Sequence, residues 1–320
     1  MLTLITPLAA KYSIYALVGV RVIEGLFEGV TYSSLFQMWS KWAPPLERSR
    51  MVTYATSGNY IGIVVSMPVS GLLASTIGWE SVFYVFGAVG VVWTLFWMIL
   101  IKASPDEDQW ISEEEKRYIK QSLSHQTNVE KVKMKIPWKS IFTSAAVWAI
   151  VAAQVAEGWG FFTLQTQLPQ FLKDVLSFDI AKLGLVSAIP YLAMAITLYF
   201  AGYLADWVQI KEHLTTKQTR KYFNCVAFIV QAVCLILATH FLNPTVIMIF
   251  ITIGIGSAAF AYTSFFVNHL DIAPQFAGVL MGICNTFSIV AGIISPLLTG
   301  YIVTTPVSIN CIQLLYLITY

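Results

Sequence analysis

The sequence is poor in charged residues for its length. Only 11% of its 320 residues are Asp, Glu, Lys or Arg, against roughly 25% in an ordinary soluble domain. Hydrophobic residues make up 57%, and the mean hydropathy is +0.69. The net charge is only +2 and no basic run occurs, which argues against a nucleic-acid partner. The composition predicts an all-α polytopic membrane protein in contact with the lipid bilayer.

Cysteine and histidine are also scarce. The four cysteines lie in apolar stretches without paired or metal-ligand spacing and are predicted to be small buried hydrophobes: Cys225, Cys234, Cys284 and Cys311. His269 and Asp271 would suit a metal, but no second cluster of ligands accompanies them, so we favour a hydrogen-bond network at a helix end. We expect no metal and no cofactor. Because no nucleophile or metal constellation can be assembled, the protein is predicted not to be an enzyme.

Long apolar runs separated by charge, proline and glycine predict eight complete membrane helices. They lie near residues 14–39, 52–75, 79–101, 141–168, 183–206, 221–241, 245–268 and 276–303. Two shorter apolar stubs flank them, at 1–10 and 309–320. A stub is too short to cross hydrocarbon, so we expect the sequence to be truncated at both ends.

Lysine and arginine are distributed unevenly between the two sides of the predicted membrane. The segments 40–51, 102–139 and 208–221 hold 15 of the 19 basic residues and fall on one side if every span crosses. Because cytoplasmic loops are enriched in positive charge, that side is predicted to be cytoplasmic. Within the central loop, Ser112 and Glu115 have capping-box spacing, which predicts a short helix.

The central loop divides the chain into two predicted bundles. A weak internal repeat supports this division, because an Ala-Pro pair opens a span at residue 43 and again about 230 residues later. The predicted organisation is a partial N-terminal helix bundle, a cytoplasmic central loop and a C-terminal bundle whose last helix is incomplete, at 1–101, 102–140 and 141–320.

Three ionisable residues share one predicted membrane helix. Arg21, Glu24 and Glu28 stand at positions i, i+3 and i+7, which fall on one helical face. An arginine fork binds carboxylate or phosphate groups, so Arg21 is predicted to bind an anionic solute. Glu24 and Glu28 can gain or lose a proton, which predicts proton coupling. The alternative is that these charges neutralise one another and join the helix to its neighbours.

A second group of polar residues is predicted to form a cavity and its gate. Glu157 lies in a helix segment rich in glycine and aromatic residues, which suits a cavity wall, and Trp159 and Phe162 are predicted to cover the substrate. Packing and interfacial anchoring would explain the aromatic residues equally well. Asp206 stands at a cytoplasmic helix end and is predicted to act as a gate latch; His269 is a further gating candidate.

Four motifs recur together in one known family. They are Arg21 to Val30, Trp42 to Ser49, Gly78-Trp79 with Phe83-Tyr84, and Asn268 to Pro274. With them the chain resembles, over about residues 1–303, the anion–cation symporter branch of the major facilitator superfamily. That branch is solute carrier family seventeen, with sialin, the vesicular glutamate transporters and the sodium-phosphate cotransporters. The motifs are most similar to those of sialin, which also has glutamate at the position of Glu24.

The resemblance implies a fold and a mechanism. The family fold is two six-helix bundles that rock about a central site, so the chain would form an incomplete version of it. Arg21 would bind the substrate anion and Glu28 would be the proton-linked carboxylate. One residue departs from the pattern: where the vesicular glutamate transporters have an arginine before the tryptophan of the seventh helix, this chain has Glu157. That difference makes glutamate uptake less expected.

These observations predict an integral, multi-pass membrane transporter. The leading hypothesis is a monomeric secondary transporter that moves organic anions with protons by alternating access. The solute would be an acidic sugar such as sialic acid or an amino-acid anion. Sodium-dependent phosphate cotransport is the alternative, with Na⁺ in place of H⁺ as coupling ion. A nontransporting membrane fragment or scaffold is the alternative from another class. The sequence leaves lysosomal, vesicular and plasma membranes open.

Overall fold

The computed structural model describes residues 1–124, 135–174, 180–241 and 243–302, and regular structure in these ranges is helical throughout. Seven helical segments are long and apolar enough to cross a membrane. The helices are α1 (Leu2–Tyr12), α2 (Ile14–Glu28), α3 (Thr31–Trp42), α4 (Arg48–Thr76), α5 (Trp79–Leu100), α6 (Glu113–Ser124), α7 (Trp138–Thr143), α8 (Ala145–Asp174), α9 (Ile180–Ile210), α10 (Thr216–Thr239), α11 (Pro244–Ala261), α12 (Val267–Ile272) and α13 (Ala277–Ile302). The all-α polytopic membrane prediction is confirmed.

The first predicted complete span, 14–39, is not one helix. It is divided into α2 and α3 at Gly29 and Val30, so seven of the eight predicted spans stand as long helices. Both residues keep near-helical backbone angles, with φ −58° and ψ −25° at Gly29. The interruption is therefore in hydrogen bonding rather than in direction, and the low helix propensity of glycine accounts for its position.

The two predicted stubs have different outcomes. The stub 1–10 forms α1, which turns into α2 through the extended residue Ser13 (φ −167°, ψ 147°). The Ser13 hydroxyl accepts a hydrogen bond from the Tyr15 N–H at 3.2 Å and so caps α2. The stub 309–320 lies outside the described residues.

The central loop contains the short helix predicted from its capping signal. The Ser112 hydroxyl accepts a hydrogen bond from the Glu115 N–H at 3.2 Å and starts α6. The Tyr118 hydroxyl on α6 donates to Glu47 at 3.0 Å, which attaches the helix to the segment just before α4. Partial burial, and then this hydrogen bond, raise the pKa of Tyr118. The boundaries 102–140 proposed for the loop remain a prediction.

Helices before the central loop pack directly on helices after it. α4 lies along α9, and α3 lies along α13. The second contact is close: a Cβ atom on Gly278 of α13 would lie 2.8 Å from the backbone carbonyl oxygen of Ser33 on α3. Only glycine allows this approach. These two helix pairs connect the two halves of the chain and surround the space between them.

A π-helical turn interrupts the last part of the long helical segment that ends at Ile272. It spans Tyr262–Phe266 and joins α11 to α12. Phe265 and Phe266 are buried in a core cluster that also contains Phe36 and Trp39 of α3. π-helical turns inside α-helices often occur at functional sites. Here the turn contributes side chains to the cavity described next.

Candidate substrate cavity and cytoplasmic latch

A cavity of about 90 Å³ lies between the two halves of the chain. Its walls come from α3, α4, α8, the π-helical turn and α13. Seven aromatic residues line it: Tyr32, Tyr60, Phe161, Phe162, Tyr262, Phe265 and Phe266. Six polar residues line it as well: Thr56, Asn59, Gln154, Glu157, Asn285 and Ser288. Mostly aromatic walls with a few polar groups are typical of small-molecule sites.

Glu157 is the charged residue in this lining. It is 5% exposed, and its Oε2 atom has no hydrogen-bond partner among the described residues. A second, smaller cavity of about 10 Å³ adjoins the first, and Glu157, Tyr60 and Phe161 line both. The Oε1 atom of the neighbouring Gln154 also lacks a partner within the described part of the chain. Unpaired polar atoms that are buried beside a cavity are available to bind a water molecule, an ion or a ligand there.

Aromatic rings brace the wall around Glu157. The Tyr60 ring lies 6.0 Å from Phe161 and 6.1 Å from Tyr262, edge to face in both cases. Phe161 also meets Tyr191 of α9 at 6.3 Å. Such contacts between α4, α8, α9 and the π-helical turn fix the rings, since edge-to-face pairs stabilise packing beyond their buried area.

The two aromatic residues predicted to cover the substrate are placed differently. Phe162 lines the larger cavity, packs against Phe161 at 5.4 Å, and lies so close to Gly292 that no side chain would fit there. Trp159 is half-buried and does not appear in the cavity wall. The structure therefore brings Phe162 and Glu157 together at one site and leaves Trp159 beside it.

The predicted polar stripe on α2 forms a separate local network. The Arg21 guanidinium lies 2.7 Å from Glu24 and 5.3 Å from the centre of the Phe83 ring on α5. The Thr3 hydroxyl donates a hydrogen bond to Glu24, and the Glu28 side chain is exposed. Arg21 is thus not in the wall of the described cavity. Its role in anion binding, and the roles of Glu24 and Glu28 in proton coupling, stay predictions.

Two buried arginines converge on one aspartate at the ends of α4, α10 and α12. Arg220 Nε donates to Asp271 Oδ2 at 2.9 Å, and Arg48 Nη1 lies 3.5 Å from Asp271 Oδ1. The Arg48 side chain is 0% exposed and that of Arg220 is 7% exposed. Arg48 also donates to the Leu270 carbonyl at 3.0 Å. Because α4 precedes the central loop and α12 follows it, the contacts of Arg48 join the two halves, and the Arg220–Asp271 pair holds α10 to α12 within the second half.

Asp206 belongs to the same cluster. Its Oδ2 atom accepts a hydrogen bond from the backbone N–H of Arg50 at 2.8 Å, which ties the end of α9 to the start of α4. Ser49, between the two arginines of α4, accepts from Arg220 at 2.8 Å. We call Arg48, Ser49, Asp206, Arg220 and Asp271 the cytoplasmic latch. The distribution of basic residues predicts that these helix ends lie on the cytoplasmic side.

His269 is buried next to the latch but does not contribute to it. Its Nδ1 atom lies 2.9 Å from the Phe266 carbonyl oxygen, and its ring contacts Phe36 edge to face at 5.3 Å. Among the described residues no three His, Cys, Asp or Glu side chains come together as a metal site. Packing and one hydrogen bond hold the His269 side chain at this helix end.

Sequence reasoning missed the two latch arginines. Arg48 and Arg220 had been counted with the cytoplasmic loops, because each stands at the boundary of an apolar run. Both are instead buried where four helix ends meet. Asp271 is the one clue in the sequence to these buried arginines. Its local sequence does not indicate, however, that it contacts helices more than 50 positions away.

Comparison with known proteins gives a consistent result. A family model described as Major Facilitator Superfamily matches residues 1–296. The chain is 41% identical over 301 residues to vesicular glutamate transporter 1 of Xenopus tropicalis and 40% identical over the same length to vesicular glutamate transporter 2 of Homo sapiens. Each alignment covers 93% of this chain and 52% of the relative. The chain therefore spans about half the length of the curated relatives it matches.

Proposed function

This chain belongs to the Major Facilitator Superfamily, and from that premise we propose that it is a secondary active transporter of organic anions. Its sequence identity of 40–41% to the vesicular glutamate transporters agrees with membership of the anion–cation symporter branch. The family is one of transporters rather than enzymes. The proposal adds that transport is coupled to protons and proceeds by alternating access of the cavity to the two sides of the membrane.

The observation that carries the proposal is a cavity between two halves that are latched at one end. Glu157 lies 12 residues beyond the start of α8, and Tyr60 lies 12 residues beyond Arg48 on α4. At 1.5 Å per residue, both are about 18 Å from the cytoplasmic helix ends. That depth is close to the middle of a hydrocarbon layer about 30 Å thick. Transporters built from repeats bind their substrates at this depth.

The latch supports alternating access because it joins the two halves through polar contacts at one end of their helices. Its ion pairs and hydrogen bonds hold the cytoplasmic ends of α4, α9, α10 and α12 together. Ion pairs between halves can exchange partners when the halves rotate, whereas a packed core cannot deform continuously. In the proposed cycle the latch breaks when the halves rotate, so that the cavity opens to the cytoplasm.

Substrate and coupling follow from the family resemblance and from the charges inside the membrane. Arg21 is proposed to bind the anionic group, and Glu24 and Glu28 to exchange the coupling proton. The substrate class is an acidic sugar such as sialic acid or an amino-acid anion, and the relatives named as glutamate transporters favour the second. Ionisable residues inside membrane spans are rare and commonly mark such pathways.

The test is uptake into proteoliposomes that contain the purified chain. Labelled sialic acid, glutamate and phosphate are supplied separately, with an imposed proton gradient or an imposed sodium gradient. The proposal predicts proton-driven uptake of an organic anion that Arg21→Ala abolishes and Arg21→Lys restores in part, since lysine keeps the charge but loses the fork. Phosphate uptake driven only by sodium, or no uptake of any of the three, would contradict it.

A further inference from the structure

The carboxyl group of Glu157 lacks an internal counter-charge in the described part of the chain. It is buried, its Oε2 atom has no hydrogen-bond donor, and no lysine, arginine or histidine nitrogen of the described residues lies within 4.0 Å. The two arginines of the latch are bound instead to Asp271. A buried ionised carboxylate without a partner is strongly unfavourable, so such a group either takes up a proton or is paired with a cation. When the Glu157 carboxylate is ionised, that cation would come from a ligand.

The walls around Glu157 suit an organic cation. Tyr60 and Phe161 line both cavities that Glu157 lines, and Tyr262 and Phe162 line the larger one. Aromatic faces attract ammonium groups through the ring quadrupole, most strongly where water is excluded. A hard metal cation is held by oxygen ligands rather than by aromatic rings, and Glu157 is the one anionic group in the described lining. A carboxylate among aromatic rings is therefore better matched to an ammonium group than to a metal ion.

The remaining polar lining is also able to accept hydrogen bonds. The side-chain oxygen of Gln154 has no partner among the described residues, and Asn59 and Asn285 add further amide oxygens to the wall. An ammonium group carries three N–H donors and no acceptor. Lysine and arginine are absent from the described lining of both cavities. This end of the site is therefore built to accept donors, unlike the anion-binding role proposed for Arg21.

We propose that Glu157 binds the ammonium group of the transported solute, so that the substrate is an organic anion that also carries an amine. The inference rests on the proposed function and narrows its substrate class to amino acids and similar zwitterions.

Equilibrium binding to the detergent-purified chain tests the assignment without requiring transport. The probes are two matched pairs that differ by one amine: glutamate with glutarate, and β-alanine with propionate. We expect each amino compound to bind at least about tenfold more tightly than its partner, the contribution of one desolvated cation–π contact. In Glu157→Gln the ratio should fall to near one, and in Phe161→Leu it should fall partly.

A matched control is available on the surface. Glu80→Gln makes the same chemical change at a half-exposed carboxylate that pairs with Lys11, and it should leave the ratio unchanged. Circular dichroism and size-exclusion profiles establish that each variant is folded. Equal binding of both members of each pair, no binding of either, or a ratio that survives Glu157→Gln would overturn the assignment.

Three further results separate this inference from its alternatives and from the transport proposal. If Na⁺ raises glutarate binding to the level of glutamate, the carboxylate holds a metal ion and the ammonium assignment is wrong. If the amine preference is found but uptake fails, the binding site stands and the transport proposal falls. If uptake succeeds without an amine preference, the transport proposal stands and the ammonium assignment falls.

Discussion

Replacing Asp271 by asparagine should release the cytoplasmic latch. Asp271 neutralises Arg220 at 2.9 Å and Arg48 at 3.5 Å, and both guanidinium groups are almost completely buried. Removing one partner from a buried ion pair costs about 3–5 kcal/mol, because the remaining charge has no compensation. The Leu270 carbonyl still accepts from Arg48, and Ser49 still accepts from Arg220, so we expect the lower end of this range.

That loss acts on the equilibrium between latched and open conformations. Of the two ion pairs that Asp271 makes, the pair with Arg48 joins the two halves and is lost when they separate, whereas Arg220 lies in the same half as Asp271. The substitution therefore destabilises the latched state relative to the open one through the Arg48 contact. A change of about 3 kcal/mol corresponds to a shift of roughly 150-fold in that equilibrium. An effect of this size would make an open state that is rare in the unmodified chain into a major one.

Cysteine accessibility measures the shift. Asn285 lines the cavity, so Asn285→Cys reports entry of a membrane-impermeant maleimide from the cytoplasmic side. Cys225, which the sequence predicts to be buried, is exposed in the structure and is therefore replaced by serine in this background. With Asp271→Asn the labelling rate should rise at least tenfold. The matched control is Asp106→Asn, because the Asp106 carboxylate is 61% exposed and an exposed pair contributes at most about 1 kcal/mol. Equal labelling rates with and without Asp271→Asn, in folded protein, would refute the latch.

Two other predictions concern packing and the stripe on α2. Gly278→Ala should lower the free energy of unfolding by about 1–3 kcal/mol, because its Cβ would lie 2.8 Å from the Ser33 carbonyl oxygen. The control is Gly62→Ala, which has open space around it and should not lower the free energy of unfolding. Equal effects of the two substitutions in denaturation experiments would contradict the close approach of α13 to α3. Arg21→Gln should change stability by only about 0.5 kcal/mol, since its ion pair with Glu24 is a local i,i+3 contact. It should nevertheless abolish anion uptake, and retained uptake would exclude Arg21 from the substrate pathway.

Much of the fold could be predicted from sequence because a membrane imposes a length on each helix. Apolar runs of about 20 residues located seven long spans, and a serine with a glutamate three positions later located α6. The break between α2 and α3 was missed. Glycine is common in membrane helices, so Gly29 by itself does not mark the point where hydrogen bonding is interrupted.

The cavity was predictable in part. Glu157 can be predicted as a cavity residue because an acid inside an apolar run is energetically costly, and Phe162 can be predicted because it lies close to Glu157 in the sequence. Tyr60 could not be recognised, since a tyrosine in an apolar helix looks the same whether it faces lipid, as the exposed Tyr54 and Tyr199 do, or a cavity. The burial of Arg48 depends on four helix ends meeting, which is a tertiary property that no local pattern encodes.

The central claim, that this chain moves organic anions together with protons, is tested most directly by proton flux driven by an anion gradient. Proteoliposomes containing the chain and an internal pH-sensitive dye are diluted into sodium-free buffer with external glutamate or sialic acid and no initial pH difference. The account predicts acidification of the interior that depends on the anion and is lost in Arg21→Ala. An interior pH that does not respond to the anion, or that responds only when Na⁺ is added, would contradict it.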